Sequence, residues 1–571
     1  MANGFGGLYI GTSGLQSAQN ALNTTANNLA NVNTTGYVRQ QVVFTDGRYN
    51  KLKLPTQKTN LHQAGLGVSI GDVVHARDIF LDKAYRVENG RKAFYETCYE
   101  VTTYVEDMFQ ELDGEQFKQS VEDLWRAFQE LAKAPADSVN QNLVVQKAEL
   151  MISRTQTLYS DLQSYQNNLN SQIIDDVKKV NEIGDRIFEL GLEIQKVEAN
   201  GKETAMTARD ERDRLLDELG AYTNMEVRED ATGFLTVTID GVEFVTESQC
   251  QHMDVFIEDT TGFSTPCWPQ LSDMENGERV PVYRTDGIIS AEANTDIGSI
   301  KAKLILRGSD YGSYDDLLTE EAYTKVDDCM LMETQAQIDL LFHEIITTMN
   351  DLFCPNVDTT LTQTLTSANG LVLQAGTNVK ILDVENCAVG EDGQIPPREL
   401  FERMGMERYT EFTDDAGNVY YVYNEENLSN TNSIYGIGNI QVNDEISKQV
   451  TLLPAFTKNG AVDMKLGGRL AEAWEQTTMT INPHDLYPCS FQGFYDKMIS
   501  ELGTVGNTYY SASETMAHTV TAVDNNRAQL IGVSSDEELT KMIKYQSAYN
   551  AASRYITVVS QMTELIVTGL A

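Results

Sequence analysis

The side chains that most often carry catalysis or metal binding are scattered along this chain. Seven cysteines and six histidines are spread over 571 residues, without a Cys-x-x-Cys pair or a regular spacing. We interpret the cysteines as free thiols in apolar cores, because zinc ligands usually occur at close or paired spacing. The sequence therefore predicts no metal site. The cysteines are Cys98, Cys250, Cys267, Cys329, Cys354, Cys387 and Cys489.

Motifs for catalysis or cofactor binding are also missing. Gly65-x-Gly67 with Gly71 misses the dinucleotide-binding fingerprint by one position, and the sequence has no phosphate-binding loop, zinc-protease motif or Gly-x-Ser-x-Gly. Paired acids such as Asp315-Asp316 are typical of solvated faces. We predict no catalytic residue, no cofactor and no enzymatic activity. An inserted catalytic domain stays an alternative, because catalytic groups can meet in space without a sequence motif.

Length and charge limit the class of protein. A chain of 571 residues is long enough for three to five domains, at roughly 100 to 200 residues each. A net charge of -41 opposes binding to nucleic acids and to anionic membrane surfaces. No apolar stretch approaches the roughly 20 residues of a membrane span, and the N-terminus lacks a cleavable signal peptide. We expect a soluble protein that leaves the cell only by a route without cleavage.

The N-terminal segment differs from the rest of this acidic chain. Arg39 is its first charged residue, and the preceding segment is rich in Leu, Ala, Asn, Thr, Ser and Gly. Four leucines recur at intervals of seven, which predicts a helix with one apolar stripe. Gly36 is expected to cap this helix, and Tyr37 to Phe44 alternates like a strand. The leucines are Leu8, Leu15, Leu22 and Leu29.

The C-terminal segment predicts a matching helix. Ser535 and Glu538 have the spacing of a capping box, which places the helix start there. Apolar residues then follow at steps of three and four, as in a coiled coil. They are Met542, Tyr545, Tyr549, Ala552, Ile556, Val559, Ile566 and Leu570.

We predict that the two terminal helices pair as an α-helical coiled coil and form an assembly interface through the leucines and the C-terminal apolar residues. The alternative is that each helix packs on a different globular core. An uncharged helix suits a homopolymer, because every surface charge is repeated on neighbouring copies and like charges repel in a drier space.

The middle of the chain predicts long helices followed by strands. Residues 83–222 are rich in helix formers, with breaks at Asp113-Gly114, Pro135 and Gly201. A second helical stretch is predicted from Ala322 to Leu352. The strongest apolar seam contains Ile173, Val180, Ile183, Ile187, Leu190, Ile194 and Val197.

Strand signals begin at Met225. Phe234 to Ile239, the turn Asp240-Gly241 and Val242 to Val245 predict a hairpin. Residues from about 357 to 500 contain the turn cluster Asp414 to Asn418 and the run Val419 to Tyr423, which predict a further, mostly β region.

These segments predict an elongated α+β multidomain protein with terminal helices, a long-helix rod and outer β-rich domains. The predicted domains are a terminal coiled-coil assembly domain (1–44 with 534–571), a helical rod (45–224 with 306–356 and 500–533), a β-rich domain (225–305) and an inserted outer, mostly β domain (357–499).

Both ends resemble a known group of proteins. The run Leu22 to Gln40 (LNTTANNLANVNTTGYVRQ) resembles the N-terminal signature of flagellar rod, hook and hook-associated proteins. The run Leu539 to Arg554 (LTKMIKYQSAYNAASR) is similar to their C-terminal signature. Two inner segments, Gly65 to Leu81 and Ala208 to Leu219, resemble the hook-associated members. The resemblance covers roughly residues 1–250 and 500–571, is loose over 297–355 and is absent from 356–500.

The resemblance implies a structural subunit of the bacterial flagellum between hook and filament. It further implies secretion through the flagellar export channel without cleavage. The implied partners are copies of itself, the hook protein, a second junction protein and an export chaperone at the C-terminal helix, with no nucleic acid and no membrane. The isolated monomer is then expected to have disordered ends. Two alternatives stay open: the hook protein, which shares both ends but not Asp213 to Leu219, and an axial protein with an enzymatic or adhesive insertion at 357–499.

Overall fold

The computed structural model describes residues 2–34, 36–47, 49–52, 62–109, 117–199, 204–230, 233–273 and 277–569. The predicted interface residue Leu570 and the predicted helix breaks at Asp113-Gly114 and Gly201 lie outside these ranges.

The described residues form long helices at both ends of the chain and in its first half. The α-helices are α1 (Ala2–Ala30), α2 (Ile79–Phe109), α3 (Phe117–Lys133), α4 (Ser138–Glu198), α5 (Met206–Tyr222), α6 (Ser299–Arg307), α7 (Glu320–Tyr323), α8 (Met330–Phe353), α9 (Asp444–Lys448), α10 (Leu466–Glu475), α11 (Phe491–Ile531) and α12 (Ser535–Gly569). Short 3-10 helices occur at Tyr314–Leu317, Thr431–Ser433, Ile437–Asn439 and Val450–Leu452.

The strands are short and form several small antiparallel sheets. They are β1 (Gln40–Asp46), β2 (Tyr49–Leu52), β3 (His62–Gly65), β4 (Val68–His75), β5 (Met225–Glu229), β6 (Leu235–Ile239), β7 (Val242–Val245), β8 (Asp254–Ile257), β9 (Ser264–Cys267), β10 (Asn356–Thr360), β11 (Leu365–Ser367), β12 (Val372–Leu373), β13 (Asn378–Leu382), β14 (Ala388–Val389), β15 (Phe401–Arg403), β16 (Tyr409–Thr413), β17 (Val419–Tyr423), β18 (Ile440–Val442) and β19 (Phe456–Thr457). The largest sheet has the order β10-β13-β17-β16-β11-β12.

Helix α4 is the central element of the helical body. Its 61 residues correspond to about 90 Å at a rise of ~1.5 Å per residue. It begins after Pro135, where Asp137 caps it by accepting a hydrogen bond from the Val139 backbone N–H. The predicted apolar seam of this helix is confirmed, because Ile173, Ile187 and Ile194 are almost fully buried.

The hairpin predicted after Met225 is also confirmed. Strands β6 and β7 pair across Asp240 and Gly241, which both have positive φ angles of 44° and 85°. This is the backbone that a two-residue type I′ turn requires. The second helical stretch begins later than predicted. The short α7 and a turn ending at Cys329 precede α8, so the continuous helix starts at Met330 and not at Ala322.

Three clusters of buried apolar residues hold the fold together. The first joins α2, α3, the first half of α4, α8 and α11 with buried residues between Leu382 and Ile481. The second lies between the second half of α4, α5, α6 and the β5-β6-β7 sheet. The third is a small cluster in the six-stranded sheet. The fold is therefore α+β, with a helical body, β-rich regions on it and long terminal helices.

We predict that Leu190→Ala and Leu192→Ala, two residues apart on α4, have very different effects. Leu190 is 1% exposed within the second cluster, and Leu192 is 43% exposed. Removing the Leu190 side chain leaves a cavity and should lower the free energy of unfolding by about 2 to 5 kcal/mol. Leu192→Ala should cost less than about 1 kcal/mol. Urea unfolding followed by circular dichroism measures both values, and equal losses would show that the seam does not stabilise the rod.

Candidate assembly interface

Helices α1 and α12 pack against each other in an antiparallel pair. Gly7 lies against Val559, Gly11 against Ile556, and Gly14 faces Ala552, so the contact moves back along α12 as it advances along α1. The approach at Gly11 is close, because an added Cβ there would lie 2.6 Å from Ile556 Cγ1. A larger residue at this position would push the helices apart.

The residues of α1 that face α12 are small, and they recur at steps of three and four. Ala18 and Ala21 are 5% and 0% exposed, and the polar Thr25 and Asn28 are also buried. We call this stripe the small-residue seam. It comprises Gly7, Gly11, Gly14, Ala18, Ala21, Thr25 and Asn28.

The four predicted leucines lie beside the small-residue seam. Leu8, Leu15, Leu22 and Leu29 each follow a seam residue by one position, and each is partly exposed. Successive helix residues are rotated by about 100°, so the leucines flank the contact with α12 and leave part of their surface uncovered. The prediction from leucine spacing therefore did not identify the small-residue seam. The signal that could have found it was the coiled-coil spacing of Gly and Ala.

The predicted residues of α12 differ in how much of each side chain is exposed to solvent. Met542, Tyr545, Tyr549, Ala552 and Ile556 are partly exposed, and Val559 is buried against α1. The ring of Tyr545 also meets strand β1, with its centroid 6.1 Å from that of Phe44 in an edge-on contact. Ile566, by contrast, is 52% exposed.

A polar cluster closes the far end of the helix pair. The Asn28 side-chain amide donates to Glu538 Oε2 at 3.0 Å and to the Gln40 backbone carbonyl at 2.9 Å. Its carbonyl oxygen accepts from the Gln40 N–H and from the Tyr37 hydroxyl. Asn28 and Glu538 are both 1% exposed. Buried polar groups are stable only when they are hydrogen-bonded, so this cluster fixes the register of α1, β1 and α12.

Two predictions about the helix ends are wrong in detail. Helix α1 ends at Ala30, and Gly36, with φ +80°, lies in the turn that follows. Helix α12 is capped by Ser534 and not by Ser535, since the Glu537 backbone N–H donates to Ser534 Oγ. Glu538 does not complete a capping box, because its carboxylate binds Asn28 and Lys541.

Much apolar surface of the pair is uncovered. Among the described residues, none of the three buried clusters includes a residue of α1 or α12. The exposed fraction of Leu565 is 76%, and that of Ile543 is 66%. Other exposed apolar residues of the pair are Tyr9, Ile10, Leu539, Tyr555, Val558, Met562, Ile566 and Val567. Exposed apolar side chains in this number on one helix pair are typical of a surface that binds another protein.

A network of ion pairs lies where the terminal segments join the body. Asp213 of α5 accepts from Arg77, which precedes α2, and from Arg86 within α2. Asp217, one turn further along α5, accepts from Arg86 at 2.8 Å and from Arg527 of α11 at 2.7 Å. All five side chains are at most 15% exposed. The network therefore ties together the segment that leaves β4 and the helix that leads towards α12.

Two titratable groups beside this network have shifted pKa values. Burial raises the pKa of Asp210 to about 7, against the opposing effects of the Val38 backbone N–H and Arg77. Burial and the nearby Arg77 lower the pKa of His75 to about 4. His75 Nε2 lies 3.5 Å from Asp210 Oδ1. Both shifts favour the uncharged form of the group concerned.

The arrangement of α1 and α12 suits binding to other chains more than chemistry. Within the described part of the chain, the one group of three metal-ligating side chains is Asp185, Cys250 and His252, on α4 and after β7, away from this interface.

We predict that Asp210→Asn stabilises the protein at high pH and has little effect at low pH. The pKa of Asp210 is raised above its ordinary 3.8, so the stability that this group contributes is present below about pH 4 and is lost progressively as the pH rises from about 4 to about 7. Asparagine never ionises, and His75 is present in both proteins. Urea unfolding midpoints should be nearly equal at about pH 4. The variant's midpoint should exceed the wild-type midpoint by an amount that grows up to about pH 7 and then stays constant to about pH 8.5.

The matched control is Asp175→Asn, at a side chain that is 77% exposed on α4. The difference in urea unfolding midpoint between this variant and the wild-type chain should not change over the same pH range. The buried placement of this carboxyl would be contradicted if the midpoint difference between Asp210→Asn and the wild-type chain did not change with pH, or fell as the pH rose.

Three family models match parts of the chain. The family described as flagellar hook-associated protein FlgK helical domain matches residues 102–364. The family described as flagella basal body rod protein matches residues 8–37, and the flagellar basal body rod FlgEFG protein C-terminal family matches residues 529–568. The two terminal matches fall within α1 with its following turn and across α12.

Full-length relatives agree with these matches. Flagellar hook-associated protein 1 of Bacillus subtilis is 24% identical over 583 aligned residues, covering 100% of this chain and 99% of the relative. The Escherichia coli protein of the same name is 20% identical, covering 97% and 98%. The flagellar hook protein FlgE of Borreliella burgdorferi is 37% identical over 81 residues, which are 13% of this chain and 18% of that protein.

Among solved structures, the flagellar hook junction protein FlgK from Burkholderia pseudomallei is similar at a TM-score of 0.48 and 10% identity. The likeness covers 78% of this chain and 99% of that one.

Proposed function

The chain belongs to the flagellar hook-associated protein family, and we propose from this premise that α1 and α12 build its assembly contacts. The protein is a structural subunit of the bacterial flagellum at the junction between hook and filament. Neighbouring copies pack their terminal helix pairs together as an inner layer. The helical body forms the next layer, and the β-rich regions face outward.

One observation carries this proposal. The terminal helix pair leaves large apolar side chains uncovered, and the described residues of this chain offer no core that reaches them. Burial of apolar surface contributes about 25 cal/mol per Å², so contact with further copies would stabilise the pair strongly. We assign to these contacts the four leucines that flank the small-residue seam and the uncovered parts of the predicted α12 residues. Those α12 residues are Met542, Tyr545, Tyr549, Ala552, Ile556 and Ile566, whereas Val559 is buried against α1 within the chain.

The charge distribution supports packing of identical copies. Residues 1–38 contain no charged side chain, although the whole chain carries a net charge of -41. Two charges of the same sign in a dry interface repel strongly, and each would be repeated at every subunit contact. Asn, Ser and Thr on α1 supply hydrogen bonds without this repulsion. The negative charge therefore lies in the regions that face water.

The partners follow from the same surfaces. Association with the hook and other flagellar components is supported by the rod-protein matches at both ends and by the likeness to a hook protein. We propose that the hook protein and a second junction protein lie on the two sides of this subunit. We also propose that an export chaperone covers α12 before secretion through the flagellar channel without cleavage. No helix in the described ranges is long and apolar enough to cross a membrane.

Two other functions fit less well. A hook protein would share the ends, but the likeness to one covers 81 residues, whereas hook-associated protein 1 relatives match along nearly the whole chain.

An enzymatic or adhesive insertion at 357–499 would form its own core. Most of the buried apolar residues between Leu382 and Ile481 instead pack in the first cluster with α2, α3, α4 and α8, and only the small third cluster is separate. This shared core favours a structural extension of the rod.

We predict that Leu22→Asp and Ile556→Asp abolish assembly. At Leu22 the carboxylate would enter the proposed contact between copies, and at Ile556 it would enter the close contact with Gly11 that holds the helix pair together. Either change costs several kcal/mol in every subunit. Each variant is expressed in the host strain from which this gene has been deleted. The expected result is cells that build hooks, lack filaments and shed filament subunits into the medium.

The matched control is Leu371→Asp, at a leucine that is 59% exposed next to β12. It carries the same change of charge and should restore motility fully. The amount of each variant in the medium measures export separately from assembly. Wild-type filaments on cells expressing both end variants would exclude the proposed interface.

A further inference from the structure

We propose that Asp185, Cys250 and His252 form a binding site for one zinc ion. Their ligand atoms, a carboxylate oxygen, a thiol sulfur and an imidazole nitrogen, all lie within 4.8 Å of one another. His252 Nε2 lies 2.8 Å from Asp185 Oδ1. The site is independent of the terminal helices, because it joins α4 to the segment after β7.

The backbone on both sides of the site is held in place. Asn181, one turn before Asp185 on α4, donates from its side-chain amide to the Met253 carbonyl at 2.9 Å. The same side chain accepts from the Met253 N–H at 3.0 Å. The Gln251 N–H donates to the Phe244 carbonyl at 2.7 Å, and Cys250 forms an isolated bridge with Val245. The segment that carries Cys250 and His252 is thus fixed both to α4 and to β7.

A glycine lets this segment approach the helix. A Cβ added at Gly184 would lie 2.4 Å from Phe244 Cζ and 2.8 Å from Cys250 Sγ. Any larger residue would push the thiol away from Asp185. The close contact therefore places the sulfur beside the carboxylate, and metal binding would need only side-chain rotation at the half-exposed Asp185 and His252.

The chemical types of the three ligands favour zinc over calcium and magnesium. Zinc binds thiolate sulfur at about 2.3 Å and imidazole nitrogen or carboxylate oxygen at about 2.0 to 2.2 Å, commonly through three protein ligands and a water. Calcium and magnesium prefer oxygen ligands throughout, so a sulfur and a nitrogen among three ligands disfavour both. The large negative charge of the chain also attracts cations.

Zinc binding must release the thiol proton. Burial and the Asp185 carboxylate raise the pKa of the Cys250 thiol to about 12. A bound divalent cation favours the thiolate, which is the form that coordinates metal. The proton passes to solvent, because the neighbouring Asp185 and His252 are both about half exposed.

The test is metal titration of the full-length, purified monomer under reducing conditions after removal of metal by a chelator. Calorimetry with Zn²⁺ gives the stoichiometry and affinity. Co²⁺, which takes the same geometry, reports a thiolate ligand through its charge-transfer absorption in the near ultraviolet. We expect one ion per chain and a cobalt-thiolate band.

Three variants and two controls distinguish this site from other binding. Cys250→Ser should remove the cobalt-thiolate band, and Asp185→Asn and His252→Ala should each weaken Zn²⁺ binding at least tenfold. Cys489→Ser and His484→Ala change the same residue types elsewhere on the chain and should leave both signals unchanged. Circular dichroism confirms that each variant is folded. Binding that survives in Cys250→Ser and His252→Ala, or no binding by the unmodified chain, would overturn the proposal.

Discussion

The close contact between α1 and α12 is the constraint on which the geometry of the proposed assembly surface depends. Glycine and alanine along α1 let the two helices approach, as the short distance between Gly11 and Ile556 shows. Small residues bury little apolar surface, so this contact sets a geometry without supplying much free energy. The buried Asn28 and Glu538 then fix the register. The larger apolar side chains stay exposed on the pair, and these are the ones that we propose to contact other copies.

The body of the molecule holds this helix pair at a defined place. The ion network between α2, α5 and α11 is almost buried, so removal of one member would leave the others uncompensated. Arg77, Asp213 and Arg527 come from three distant parts of the chain, which explains how the segment that leaves β4 and the helix that leads towards α12 stay together. The three apolar clusters lie beyond this network and stabilise the rod without the terminal helices.

The sequence predicted well those features that are local and periodic. The α4 seam, the break at Pro135 and the β6-β7 hairpin follow from spacing and turn chemistry within a few residues. The small-residue seam was missed, because glycine and alanine carry a weak hydrophobic signal and the neighbouring leucines carry a strong one. The Glu538 carboxylate was predicted to cap its own helix. In the structure it instead accepts a hydrogen bond from Asn28, which is 510 positions away in the sequence.

The candidate zinc ligands illustrate the same limit. Cys250 and His252 are two positions apart, but the third ligand is 67 residues from His252 and is brought close only when α4 packs on the strand segment. The spacing of these three residues in the sequence therefore does not match a known zinc motif. In the same way, Asp213 and Asp217 were noticed as part of a resembling motif, but their arginine partners became clear only from the packing of α2 and α11.

The central claim is that the terminal helices need neighbouring copies to be stable. Hydrogen exchange of the backbone amides of α1 and α12 tests it most directly, when the free monomer is compared with intact hook-filament junctions. The account predicts fast exchange along both helices in the monomer and strong protection in the junction, while α4 is protected in both. Equal and strong protection of α1 and α12 in the free monomer would contradict it.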